Sequence, residues 1–109
     1  MQDRSVSFAY AVRELPPGRF PFRRWRWELW QEALLVSAGW VTTPFQVERA
    51  LRTAASRRLH QLAGVTALRP ERARLLDPLA PDSASRLDAG VGTCLLVAAE
   101  ARESDAAAA

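Results

Sequence analysis

This chain has one thiol and one imidazole, and neither has the company that chemistry needs. No Cys or His stands at ligand spacing to His60, which argues against a structural zinc site. Cys94 lies in the apolar run Thr93-Cys94-Leu95-Leu96 and reads as a buried thiol. Nothing in the spacing supports a Cys94–His60 pair as nucleophile and base. Gly90-Val91-Gly92 lacks the third glycine and the following helix of a dinucleotide fingerprint, so it reads as a bulge or a close backbone approach. No two carboxylates are spaced for acid–base work. The expectation is a protein that is not an enzyme, with no catalytic residues, no metal and no cofactor.

The chemistry that remains is recognition. Arg23-Arg24-Trp25-Arg26-Trp27 is followed by Trp30 and Trp40. Guanidinium groups meet phosphates, and indole faces stack on bases, each stack contributing roughly 1–3 kcal/mol. The competing structural reading buries Trp25 and Trp27 with Leu29 on one face of a strand. Arg24 and Arg26 then stand side by side on the open face, with Phe22 and Trp30 as its aromatic component. Arg49, Arg52, Ser56 and His60, with Arg57 at the edge, form a second polar stripe on a helix. It can follow a phosphate backbone or simply be solvated. Arg58 falls within the apolar stripe and is expected to snorkel to its rim or to pair with an acid such as Asp88.

Charge and composition limit the partners. All 15 basic residues are Arg, and Lys, Asn and Ile are absent, a pattern of GC-rich coding that explains part of the Arg enrichment. Residues 1–68 carry ten Arg and five acids, and residues 69–109 five Arg and seven acids, giving +5 and −2. A basic front suits a polyanion, although a net +3 is ordinary for a soluble domain. A lone cysteine excludes an intrachain disulfide. The first residues lack the pattern of a signal peptide, and no apolar run approaches the roughly 20 residues of a membrane span. The expected location is cytoplasmic, without membrane partners.

Elements must position these groups. Val6, Phe8, Tyr10 and Val12 alternate with Ser5, Ser7, Ala9, Ala11 and Arg13, predicting a first strand that ends at Leu15-Pro16-Pro17-Gly18. Residues 20–30 predict a second strand, and a turn of about two residues near Gln31-Glu32 leads to a third over 34–41, with Leu34, Val36, Ala38 and Trp40 on one face. Thr43-Pro44-Phe45-Gln46 fits a capping box, opening a helix to about Leu62 with Gly64 just beyond. Val47, Leu51, Ala54, Ala55 and Leu62 form its apolar stripe. Residues 65–70 read as extended, Pro70–Leu76 as a short helix and 79–85 as a loop. Residues 86–99 read as one last strand beside the first, with a helix over 94–103 as the rival. Residues 104–109 read as a frayed tail.

The segment 25–57 resembles the ββα unit of the YegP-like small bacterial repeat domain. Trp27, Leu29, Ser37, Gly39, Trp40, Thr42, Ala50 and Leu51 carry the likeness. That family's Asn-Gly turn is missing here and no second copy follows. The resemblance implies a fold fragment and dimer formation, and it brings no catalytic residues.

The expectation is therefore a single α+β domain over residues 1–103. An antiparallel sheet of three to four strands, in the order β-β-β-α-(α)-β, carries one long helix on one face. The function expected first is a small nucleic-acid-binding or regulatory accessory protein using Arg23, Arg24, Arg26, Trp30, Arg49 and Arg52. The alternative is a protein–protein interaction module or homodimer, since Trp and Arg are also favoured interface anchors.

Overall fold

The computed structural model describes residues 6–19, 21–64 and 73–99. The expected extended segment 65–70, the start of the short helix and the expected tail 104–109 lie outside these residues. Two three-stranded meanders meet side by side. The first is β1 (Val6–Glu14), β2 (Trp25–Gln31) and β3 (Leu34–Val41). The helix α1 (Pro44–Leu62) follows, and the second meander is β4 (Arg74–Leu75), β5 (Ser85–Asp88) and β6 (Thr93–Ala98). The sheet order is β3-β2-β1-β6-β5-β4. Neighbours are antiparallel except β1 and β6, which run parallel.

The expectation of three to four antiparallel strands is thus corrected to six strands in a mixed sheet. The single strand expected over 86–99 is two strands, because the chain reverses at Gly90 and Gly92. Gly90 has φ +85, which a side chain rarely tolerates. Asp88 Oδ1 accepts from Gly90 N at 2.9 Å, and Ala89 N donates to Gly92 O at 2.9 Å. That extra reversal sets β6 parallel to β1. The expected neighbourhood of first and last strands stands, and residues 94–98 are strand rather than helix. The helix expected over Pro70–Leu76 gives way to β4, whose Leu75 pairs with Leu87. Leu76 N extends the pairing to Arg86 O at 2.8 Å. So short a segment between prolines offers few helical bonds, and pairing satisfies its backbone instead.

α1 lies on β2 and β3 and touches β1. Thr43 Oγ1 accepts from Gln46 N at 3.3 Å, as the capping box requires. Gln46 Oε1 in turn accepts from Thr42 N and Oγ1, both at 3.2 Å. Gly64, at φ +73, follows the C-cap Ala63. Phe8, Leu29, Leu51, Leu87, Leu96 and Cys94 are the largest apolar side chains excluded from water. They lie on the helix side of the sheet, as alternation predicts for Phe8 and Leu29. Trp27 packs over Gly39, where an added Cβ would stand 3.1 Å from the indole.

Two faces differ from expectation. Ser56 and His60 are buried rather than on the solvated side, and Leu62 is exposed. The buried row Val47-Leu51-Ala55-Leu59 drifts by about 40° every four residues, because 3.6 residues make a turn. In the C-terminal half of α1 it therefore reaches Ser56 and His60, whose Nδ1 lies 2.7 Å from Ser56 O. On β3 the pairing slips between Leu29 and Trp30, so Leu29 faces Ser37 and Trp30 faces Leu35. Val36 is the extra residue and packs against the core. Ala38 and Trp40 are left on the opposite face, paired with Glu28 and Arg26.

Candidate interaction site

The open sheet face holds the Arg-Trp cluster in a self-satisfied form. Arg26, Glu28 and Trp30 are alternate residues of β2 and share that face. Arg26 Nε donates to Glu28 Oε2 at 3.0 Å, and Trp30 Nε1 donates to Glu28 Oε1 at 3.2 Å. These hydrogen bonds, with the charges of Arg26 and Arg13, lower the Glu28 pKa against the opposing pull of desolvation. Arg26 also stands opposite Arg13 on β1 and Trp40 on β3. Arg24 stands just before β2, its carbonyl accepting from Leu15 N at 2.8 Å, and Arg26 is not a bare charge beside it, because the carboxylate between Arg26 and Trp30 occupies their polar groups. Phe22 precedes the strand and is exposed.

Arg23 and Arg24 precede β2. They border a hollow of about 250 Å³ with Pro16, Pro17 and Phe22. Arg23 Nε is 3.7 Å from Glu14 Oε1, both side chains exposed. Arg52 is half-buried, 4.0 Å from Glu48 one turn earlier, and its Nε is enclosed without a hydrogen-bond partner among the described residues. Of the six residues singled out in the sequence, Arg49 alone opens onto a cleft beside the helix.

That cleft, of about 750 Å³, runs between α1 and β3. Trp27 lies against it, and Val36, Ser37 and Val41 border it from the strand. From the helix come Gln46, Arg49, Ala50, Thr53, Arg57, Arg58 and Gln61. Arg49, Thr53, Arg57 and Gln61 are four apart and form one row along the helix. Arg49 and Arg57 are exposed, and no ion pair holds either of them among the described residues. Arg58 reaches the rim, where Nε donates to Gln31 Oε1 at 2.9 Å, and not to Asp88. No described residue bordering the cleft is a carboxylate.

The strand wall is also an edge. β3 ends the sheet, so one side of its backbone is unpaired among the described strands. Its sequence, LLVSAGWV, has no charge and no proline. Edge strands are usually protected by such residues or by bulges. The irregularity at Val36 protects the N-terminal part and leaves Ser37–Val41 regular. The opposite edge, β4, has only two residues. Arg57, expected only at the edge of the polar helix stripe, lines the cleft beside Arg49, and the edge position of β3 was not foreseen. Two successive i, i+4 steps from Arg49, through Thr53, mark Arg57 as its row-mate, whereas the edge depends on strand order.

Cys94 is buried, and that burial pushes its thiol pKa up to about 12. No group of His, Cys, Asp and Glu among the described residues could hold a metal ion. No described helix is long and apolar enough to cross a membrane. Compared with protein-family models, curated proteins and solved structures, the chain matches none.

Proposed function

We propose that this chain is a non-catalytic protein-interaction module whose acidic partner docks in the cleft between α1 and β3. The observation that carries this reading is the cleft's composition. It places the unengaged guanidinium groups of Arg49 and Arg57 beside apolar strand residues, with no carboxylate to neutralise them among the described residues. Arg is the basic residue best suited to holding a carboxylate through paired hydrogen bonds. The nucleic-acid reading of the sheet face draws less support, because Glu28 engages both Arg26 and Trp30 there.

Fluorescence anisotropy with labelled polyglutamate and a labelled single-stranded oligonucleotide, at low and high salt, tests the proposal. Saturable, salt-sensitive polyglutamate binding that weakens in Arg49→Ala/Arg57→Ala supports it. Absence of polyglutamate binding at low salt overturns it. Oligonucleotide binding that instead weakens with Arg13→Ala/Arg26→Ala moves the function to the sheet face.

A further inference from the structure

We infer that the acidic partner binds as an added strand, an extended peptide pairing its backbone with Ser37–Val41 of β3. This rests on the cleft being the interaction site. Three observations point to an extended peptide rather than to another anion. Among the described strands β3 offers a row of unpaired N–H and C=O groups that a peptide backbone matches. The regular stretch Ser37–Val41 lies beside the cleft, so one face of an added strand would look toward α1.

The third observation is spacing. Arg49 and Arg57 are eight residues apart on α1, about 12 Å at a rise of 1.5 Å per residue. Residues four apart on a strand are about 13 Å apart and point to the same side. The row therefore matches an extended segment with carboxylates at positions i and i+4, and the intervening i+2 residue falls near Thr53. Gln46 and Gln61 close the two ends of the row with amide groups.

A second copy of the chain fits less well. Antiparallel pairing of two β3 edges about a two-fold axis puts both helices on the same side of the joined sheet. The two Arg49–Arg57 rows would then face each other across the junction, like charge to like charge. A nucleic acid can meet the guanidinium groups but has no backbone amides to complete the strand ladder.

The probe is a peptide of about ten residues alternating Glu and Thr, a typical strand length or slightly more. It is compared with the same peptide N-methylated at alternate backbone nitrogens facing β3. Affinity is read by anisotropy and amide protection by hydrogen exchange of the full chain. The expected result is binding with slowed exchange at Ser37–Val41. N-methylation should abolish binding, and Arg49→Ala/Arg57→Ala should weaken it about tenfold, two exposed charge contacts together. Binding that depends on both arginines without protection of Ser37–Val41, or that survives N-methylation, overturns strand addition and leaves the acidic-partner reading standing. Absence of binding overturns both. A concentration-dependent dimer that protects Ser37–Val41 without peptide replaces the peptide by a second copy.

Discussion

Glu28→Gln removes one charge from the open sheet face while keeping the side chain's size. The wild-type carboxylate accepts from Arg26 Nε at 3.0 Å and from Trp30 Nε1 at 3.2 Å. The amide oxygen can still accept one bond, but the charge that strengthens both is gone. A partly exposed ion pair contributes about 0.2–1 kcal/mol, and a lost hydrogen bond costs about 1 kcal/mol. The Arg13–Arg26 opposition, no longer balanced by Glu28, adds a few tenths. The expected loss is about 1–1.5 kcal/mol, or roughly 5–10 °C in Tm for a domain of this size. The pH dependence follows from the lowered folded pKa of Glu28. Its stabilisation is fully present above its ordinary value of 4.5 and is lost as pH falls through the lower folded value. Thermal unfolding by circular dichroism should show the full gap between wild type and variant near neutral pH, closing as pH falls below 4.5 through the lowered folded value. A gap that is absent at neutral pH, or that persists unchanged in acid, would refute the reasoning.

Three further outcomes are expected. Thr43→Ala, which removes the oxygen accepting from Gln46 N, should cost about 1 kcal/mol in chemical denaturation; an unchanged midpoint contradicts the capping role. Cys94 should resist a thiol reagent in the native protein and react once the chain unfolds, because it is enclosed and its pKa is pushed up to about 12. Rapid native labelling would contradict its burial. The Asp77 carboxyl accepts from Arg86 Nε at 2.8 Å and Nη2 at 3.1 Å, and these bonds lower its pKa to about 2. Its stabilisation is therefore present above the ordinary value of 3.8 and lost as pH falls through about 2. An NMR titration of that carboxyl with a midpoint at the ordinary value would show the contact absent in solution.

Much of the first meander was legible because each signal was local. Alternation marked β1 and the buried Trp27 and Leu29, and Thr43-Pro44-Gln46 marked the start of α1. The two-residue turn was also legible, although Glu32, at φ +55, takes the conformation usually left to glycine. The Arg26–Glu28 pair could have been read too, since residues two apart share a strand face. What escaped was set by partners distant in sequence. β4 is too short to show a period, and alternation across residues 86–99 conceals the reversal at Gly90. One extra residue at Val36 decides which side Trp40 takes. The cleft combines a helix row legible as spacing with an edge that exists only once six strands are ordered.

The central claim is that the α1–β3 cleft, rather than the Arg-Trp sheet face, receives the partner. Titrating isotope-labelled protein with the Glu-Thr peptide and following backbone amide shifts tests it most directly. The account predicts changes concentrated at Ser37–Val41 and at Arg49, Thr53 and Arg57. Changes confined to Arg13, Arg26 and Trp30 would contradict it.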